Sequence, residues 1–521
     1  MIKKLNNSQW SLIFLLSSAL FAYFFHIPEK VILSVIIVYF SCNVIINPKY
    51  GINFLVLITP LCLGNSKRPY FVYLELLVYL TILSFLIHFA FKKAKYSDKI
   101  PFKSVILLFV IVSCLNLPLN LKELYYYIRG TPFIDVFHSF LTSNEGYDTF
   151  YLRSFSNLLS SMALFIITFV TMKTEDLYNL FKSMMIVLLL TCIFGFIFRY
   201  DLIQRKHLPF LTLQLMGQYG IEAGKTSICA FSFNAGYLGQ YLISVIPLAL
   251  FIVFRGKRFW SYLSCTALIL SIIIIPMTFQ RGPVVALFVE MLVFMMYILF
   301  NSKNRKHILQ RSLIAFVIVL FLFLIIDKFL NHGFITTKFC YVLSKTSLRD
   351  QIWKVALSML QDNPLLGVGL GKFHYFFPKY CLIADVAWSG GIKYVRSTAH
   401  NLYLHILAEQ GIVGFLSFML LLVSILKQSC ISLKEMDIEK KSLTIALFAI
   451  IAGIMSFGIS QFIFYIRIMQ IYFWCILGFL VVMIKPYLKD YYISKKIFLL
   501  TFISLISLVG YRLYVIKTFV V

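Results

Sequence analysis

Residues 468–484 read IMQIYFWCILGFLVVMI, a run of 17 residues without one charged side chain. A helix needs about 20 mostly apolar residues, with a range of about 17 to 25, to cross the hydrocarbon core of a bilayer. Similar runs recur along the chain, are continuous rather than alternating, and so favour helices over barrel strands. We predict 12 to 15 transmembrane helices, near residues 9–26, 31–46, 50–66, 71–91, 104–119, 154–172, 178–199, 234–254, 260–279, 283–300, 312–330, 401–426, 442–464, 468–484 and 497–515.

The composition supports a membrane protein. The 521 residues are 60% hydrophobic and 13% charged, with a formal net charge of +27. A soluble domain is about 45–50% apolar and about 25% charged, and a disordered chain has low hydrophobicity. The sequence therefore excludes both classes. A basic chain could bind nucleic acid, but the apolar content argues against that partner and in favour of membrane lipid.

The basic residues predict the orientation. Short basic loops lie at 92–95, 255–258, 303–311, 434–441 and 485–496, and such loops stay on the cytoplasmic side. All of them lie inside if the N-terminus is inside, with the first apolar run as a retained anchor rather than a cleaved signal peptide.

The same orientation puts three longer loops outside, at 120–153, 200–233 and 331–400. The expected fold is thus an all-α polytopic bundle with a large structured extracytoplasmic loop. We divide its single membrane domain into an N-terminal bundle (1–330), a periplasmic loop (331–400) and C-terminal helices (401–521).

The large outer loop begins with a predicted amphipathic helix. Residues 347–360 place Ile352, Val355 and Met359 at three- and four-residue spacing, and Asn363-Pro364 ends the pattern. We expect this helix to lie on the outer membrane surface and to cover the bundle. Its Arg349 either binds a ligand or is simply solvated.

The loop continues with a glycine-rich stretch. Residues 367–373 read GVGLGKF, which looks superficially like a phosphate loop. The spacing of that motif fails, and Phe373 stands where it needs a hydroxyl. We therefore interpret the glycines as a tight turn with close backbone approach. Exposed amides there could contact an anion.

His400 stands at the end of the loop. Ser397 or Thr398 is expected to cap the following helix, which would place His400 in its first turn. A helix N-terminus disfavours the imidazolium, so His400 should stay neutral, as a general base requires. His405 and Glu409 are expected to face elsewhere on that helix. A purely structural role for His400 remains the alternative.

Arg281 falls between two predicted spans at the outer surface. Pro283 suits the first turn of the following helix, so Arg281 should lie near a helix N-terminus that attracts anions. A charge at this position usually has a partner or a function. The alternative is an arginine that snorkels to a lipid phosphate.

Arg281, Arg349 and His400 come from three segments that can reach one outer surface. Arginine binds phosphate through two parallel hydrogen bonds, and a neutral histidine can take a proton from an attacking hydroxyl. We expect no metal and no cofactor, because the arginines supply the positive charge. The weaker candidates for substrate binding are Arg396, Lys393, Trp388 and Lys372.

These stretches resemble a known family. Residues 400–414 read HNLYLHILAEQGIVG and residues 349–373 read RDQIWKVALSMLQDNPLLGVGLGKF. Both are similar to motifs of the O-antigen ligase and polymerase superfamily, and residues 280–282 (QRG) resemble its Ser-Arg-Gly motif with Gln in place of Ser. The resemblance covers about 275–415.

The resemblance implies a fold of the lipid-donor glycosyltransferase type in the bacterial inner membrane, with its active site facing the periplasm. It implies an undecaprenyl-diphosphate-linked glycan as donor and lipid A–core, or a growing glycan, as acceptor. It also implies metal-independent, inverting transfer. The two family arginines and the histidine fall on Arg281, Arg349 and His400.

Several alternatives stay open. Within the superfamily, the protein could be a repeat-unit polymerase or a protein O-oligosaccharyltransferase. From another class, it could be a flippase or transporter of lipid-linked oligosaccharides. Transporters place charges and broken helices near the midplane, whereas the notable residues here gather at one face, which favours an enzyme. Cys340 and Cys381 in the outer loop either form a disulfide or remain free thiols.

Overall fold

A computed structural model describes residues 29–63, 70–91, 101–114, 150–200, 235–301, 348–383, 398–464 and 467–488, with a few single positions between 221 and 232 and between 321 and 328. Within these ranges the chain forms fourteen α-helices, two short 3-10 helices and one two-stranded antiparallel pair. The helices are α1 (Glu29–Ile46), α2 (Lys49–Leu57), α3 (Tyr70–Ala90), α4 (Lys103–Cys114), α5 (Phe150–Thr171), α6 (Thr174–Arg199), α7 (Ala235–Arg255), α8 (Arg258–Met277), α9 (Arg281–Asn301), α10 (Leu348–Asp362), α11 (Phe373–Ile383), α12 (Leu402–Ser432), α13 (Ile438–Phe457) and α14 (Arg467–Ile484). The strands are β1 (Ile221–Glu222) and β2 (Lys225–Thr226).

Eight of the described helices are long and apolar enough to cross a bilayer: α5 to α9 and α12 to α14. This confirms the predicted polytopic helical membrane protein. The helix bounds agree closely with the hydropathy pattern: the run predicted at 234–254 forms α7, and the run at 468–484 forms α14. The predicted spans at 9–26 and 497–515, and most of 312–330, lie outside the described residues.

The span predicted at 50–66 is wrong. α2 ends at Leu57 after nine residues, and a 3-10 turn follows at Thr59–Cys62. Pro60 explains the break, because proline lacks an amide hydrogen and disfavours helical geometry at the residue before it. Nine residues rise only about 14 Å, far less than the bilayer core of about 30 Å. Residues from Gly51 to Leu57 are all buried, so α2 is an interior packing helix.

The centre of the described bundle is α14, all eighteen residues of which are buried. A helix that is apolar on every side is expected in a protein interior. Its Trp474 lies among aromatic rings, with centroid distances of 6.0 Å to Phe109 and 5.8 Å to Phe165. Gly478 lets α14 approach Thr168 of α5 closely.

A buried ion pair fixes the start of α14. Arg467 donates from Nε to Glu75 Oε1 of α3 at 2.7 Å, and the two side chains are 3% and 5% exposed. Its other nitrogens bind α5, through the Asn157 carbonyl at 2.8 Å and the Ser161 hydroxyl at 2.6 Å. Such a pair tolerates burial because all its groups are hydrogen-bonded. It ties three helices together at one end of the bundle.

The predicted amphipathic helix is present as α10. Its apolar side chains belong to a separate buried cluster formed with the glycine-rich turn, α11 and the start of α12. That cluster contains Ile352, Val355, Ala356, Met359, Val368, Phe373, Phe377, Tyr380, Ala399 and Ala408. The apolar face of α10 therefore packs on the chain's own loop and on α12, which gives the outer segment a core of its own.

Candidate active site

His400 stands just before α12, not inside it. The cap of α12 is Asn401, whose Oδ1 accepts the Leu404 amide at 3.0 Å. The prediction that Ser397 or Thr398 caps this helix, with His400 in its first turn, is wrong. Asparagine is among the strongest capping residues, and Thr398 Oγ1 accepts the amide of His400 itself at 3.4 Å.

The backbone of His400 is strained, with a φ of +48°. The left-handed conformation costs an L-residue roughly 1–2 kcal/mol and persists only where the surroundings hold it. Two contacts hold it here. The Leu402 amide donates to the Gly458 carbonyl at 2.7 Å, and Trp353 Nε1 of α10 donates to the Ala399 carbonyl at 3.1 Å.

The imidazole of His400 faces the α13–α14 turn, which comprises residues 458–464. Its Nδ1 lies 3.2 Å from Gln461 Oε1. An amide oxygen only accepts hydrogen bonds, so Nδ1 carries the proton in this contact. The basic lone pair is then on Nε2. When the ring is neutral, this is the tautomer that a general base acting through Nε2 needs.

The helix that begins with Arg281 packs against the same turn. Arg281 is the first residue of α9, and Pro283 lies in the first turn as predicted. The following Gly282 packs so closely that a Cβ there would lie 2.6 Å from Phe457 Cε2 and 2.8 Å from Ser460 Oγ. The start of α9 and the Gln461–His400 contact therefore share the α13–α14 turn.

Arg349 completes the group from α10, one helical turn before Trp353. The pKa of its guanidinium is lowered, first by burial and second by the positive charge of Arg281. Within the described ranges, no carboxylate forms an ion pair with Arg349. Two guanidinium groups that repel each other favour the binding of an anion, because an anion removes their mutual repulsion.

Arg396, Lys393 and Trp388 lie outside the described residues. Lys372 is buried in the glycine-rich turn, where a Cβ on Gly369 would lie 3.3 Å from its Cδ. Among the residues that the structure describes, no group of three His, Cys, Asp or Glu side chains is placed to hold a metal ion.

The glycine-rich turn is a tight turn, as predicted: Gly367, Gly369 and Gly371 all have positive φ. Its amides contact an anion supplied by the chain itself. The Phe373 amide donates to Glu409 Oε1 of α12 at 3.0 Å, and the Gly369 amide donates to the Glu409 carbonyl at 2.9 Å. Glu409 was expected to face away from His400, and its side chain is directed to the glycine-rich turn and to His405.

His405 lies between Glu409 and the segment that carries His400. It is 4% exposed and stacks on Phe462 with a centroid distance of 3.8 Å. Its Nδ1 accepts the Ala399 amide at 3.3 Å, and its Nε2 lies 3.4 Å from Glu409 Oε2. Sequence reasoning missed this pair, although the i,i+4 spacing of His405 and Glu409 puts both on one helix face.

A third arginine near the group was also missed. The Arg199 guanidinium, at the end of α6, lies 5.7 Å from the ring centroid of Phe279, two residues before Arg281. Burial lowers its pKa. The sequence does contain an indication of this arginine, because Arg199 ends the span predicted at 178–199. A charged residue at a membrane boundary usually has a partner or a function.

Comparison with known protein families gives a match over part of the chain. Residues 266–419 match the family model described as O-Antigen ligase, and this region contains Arg281, Arg349 and His400. No curated protein matches the chain. The match supports the superfamily that the motifs resemble, and with it a membrane glycosyltransferase-like activity. The chain is thus a multi-pass helical membrane protein in which residues 266–419 are similar to the O-antigen ligase family.

Proposed function

We propose that this protein is a membrane glycosyltransferase of the O-antigen ligase type. It moves a glycan from undecaprenyl diphosphate to a hydroxyl of lipid A–core at the outer face of the bacterial inner membrane. Two observations support the proposal: burial and then the charge of Arg281 lower the pKa of Arg349, and Gly282, next to Arg281, packs on the α13–α14 turn that His400 contacts. The family match supports the reaction class.

In this proposal, Arg281 and Arg349 bind the diphosphate of the donor. A guanidinium offers paired donors that match phosphate oxygens. As the bond between the anomeric carbon and the phosphate oxygen breaks, negative charge grows on the leaving diphosphate. Two fixed cations in a half-buried site stabilise that charge more than water does. The arginines thereby supply the charge that a divalent cation supplies elsewhere.

His400 acts on the acceptor. Its Nε2 takes the proton from the acceptor hydroxyl as the oxygen attacks the anomeric carbon. Gln461 holds the Nδ1 hydrogen and so keeps the imidazole in the required tautomer. One C–O bond forms to the acceptor and one breaks to the diphosphate, from opposite faces of the sugar, so the configuration inverts. The proton on His400 then returns to solvent.

The basic loops support a periplasmic site. Residues 255–258 join α7 to α8, and Lys434, Lys440 and Lys441 lie where α12 is joined to α13. Each of these loops is separated by one helix of the bundle from the end that carries Arg281 and His400. Basic short loops remain in the cytoplasm, so the opposite end faces the periplasm. With this orientation α10 and α11 belong to the periplasmic loop at 331–400.

Purified protein supplied with a lipid-linked glycan and with different acceptors tests the proposal. We expect transfer to lipid A–core, together with release of undecaprenyl diphosphate. Extension of the lipid-linked glycan alone would identify a repeat-unit polymerase, and transfer to a protein would identify an O-oligosaccharyltransferase. Movement of the donor across a bilayer without bond formation would contradict the enzyme and favour a flippase.

A further inference from the structure

The pair His405–Glu409 is buried beside the candidate site, but the proposed reaction assigns no role to it. Both residues are 4% exposed. Burying two ionisable groups is unfavourable unless they are hydrogen-bonded, and a packing role alone would be served as well by apolar side chains. The contacts of the pair show what these particular groups add.

The hydrogen bonds fix the proton positions. The Ala399 amide can only donate, so His405 Nδ1 is the unprotonated nitrogen. Nε2 therefore carries the hydrogen and points it at Glu409 Oε2, 3.4 Å away. Glu409 Oε1 accepts from the Phe373 amide, so the carboxylate is held from the loop side as well. A continuous chain of contacts leads from the glycine-rich turn through Glu409 and His405 to Ala399.

Ala399 is the residue immediately before the proposed base. Its amide binds His405 of α12, and its carbonyl accepts from Trp353 of α10. The groups on either side of Ala399 are thus fixed by two different helices. The next residue, His400, adopts the strained left-handed conformation that brings its ring to Gln461. Without either contact, His400 is free to relax toward ordinary backbone angles and to leave Gln461.

We infer that His405 is a positioning residue for His400, and that Glu409 acts by holding the His405 tautomer that accepts the Ala399 amide. This inference rests on the proposed function of His400 as the base. The same arrangement links α10, which carries Arg349, to α12, so the diphosphate site and the base are held at one fixed separation.

Two substitutions at the same position separate positioning from packing. His405→Asn keeps an acceptor close to the place of Nδ1 and loses the donor to Glu409. His405→Gln keeps a donor close to the place of Nε2 and loses the acceptor for Ala399. Both replace the ring that stacks on Phe462, so a packing role predicts that they behave alike.

The experiment measures kcat, the KM for the lipid-linked donor and the melting temperature of each full-length variant in detergent. A misplaced catalytic group reduces the rate by about 100-fold, so we expect His405→Gln to lose about that factor in kcat with little change in donor KM. We expect the kcat of His405→Asn to be at least about tenfold higher than that of His405→Gln. Equal kcat values for the two variants, at equal folded fraction, would overturn the inference.

Trp353→Phe provides an independent variant, because it removes the other hydrogen bond to Ala399 without altering α12. We expect it also to lower kcat with little change in donor KM, and an unchanged kcat would count against the inference. His400→Ala distinguishes the proposed role of His400 as the base from the positioning role of His405. If His400→Ala transfers glycan at the wild-type rate, the proposed base is wrong. If it is inactive while His405→Gln is unaffected, only the positioning role is wrong.

Discussion

His400 Nδ1 lies 3.2 Å from Gln461 Oε1, so the segment that precedes α12 is joined to the turn that also packs against Gly282 of α9. Three segments that are far apart in the sequence meet through this turn. The contact also decides which nitrogen of the imidazole is basic. The chemical role proposed for His400 therefore depends on a glutamine 61 residues farther along the chain.

Gln461→Glu is predicted to shift the pH profile of transfer. A carboxylate beside the imidazole favours its protonated form and raises the pKa of His400. A general base works only when it is neutral, so the acidic limb of the profile of kcat against pH should move to higher pH. Gln461→Leu, which removes the acceptor without adding charge, should lower kcat instead. An identical acidic limb in wild type and Gln461→Glu would argue against His400 as the base.

Arg281→Lys and Arg349→Lys are predicted to weaken transfer although they keep the charge. Lysine is a point charge and cannot bind phosphate through two parallel bonds. Each charge-assisted hydrogen bond contributes about 1.5–3 kcal/mol, so kcat/KM for the donor should fall by about 10- to 100-fold. The matched control is Arg258→Lys, at an exposed position at the start of α8. Equal effects at all three positions would contradict the clamp.

Glu75→Gln is predicted to destabilise the fold strongly. It leaves Arg467 buried without a counter-charge, and breaking a buried pair in this way costs about 3–5 kcal/mol. The matched control is Asp437→Asn, which breaks the exposed pair of Asp437 with Lys440 and should change the melting temperature little. Similar melting temperatures for the two variants in detergent would show that the Glu75 pair is not a structural anchor.

Gly411→Ala is predicted to loosen the outer loop from α12. Gly411 has a φ of +65°, and a Cβ there would lie 2.4 Å from the Leu365 backbone. The strain alone costs roughly 1–2 kcal/mol, and the overlap adds to it. Gly195→Ala on α6 is the control, since Gly195 does not have a positive φ and its Cβ would lie no closer than 3.1 Å to another residue, at Ile228 Cγ2. We expect a lower melting temperature and a lower kcat only for Gly411→Ala.

His374 is predicted to make the protein sensitive to mild acid. Burial lowers its pKa, with a smaller opposing effect of Glu409, which raises it. At pH values below about 6.5, the pKa of histidine in an unfolded chain, His374 therefore binds a proton more readily in the unfolded chain than in the folded chain. Stability is complete above that pH and declines as the pH falls toward the folded pKa. Melting temperatures measured across this window should show a smaller acid loss in His374→Gln than in wild type.

Hydropathy predicted most of the fold, because a bilayer allows few alternatives to long apolar helices. It failed at Pro60, which interrupts an apolar stretch without changing its mean polarity. The predicted N-cap of α12 was also wrong. Ser397, Thr398 and Asn401 are all capping residues, and the choice between the last two depends on a tertiary contact, the bond from the Leu402 amide to Gly458.

The sequence pointed to the candidate chemical residues of the site but not to the residues that hold them in place. Arg281, Arg349 and His400 stand out because charges near a bilayer are rare. His405, Glu409 and Gln461 do not stand out, since polar residues on a long helix or in a turn are common. Their contacts with Ala399, Phe373 and His400 are visible only once the outer loop is docked on α12.

The most direct test of the central claim is the single-turnover rate of glycan transfer by His400→Ala, measured with purified lipid-linked donor and lipid A–core. Loss of a general base reduces the rate by about 10²- to 10⁴-fold. The account predicts a loss of that size with donor binding retained, because Arg281 and Arg349 remain in place. Transfer at the wild-type rate would contradict it.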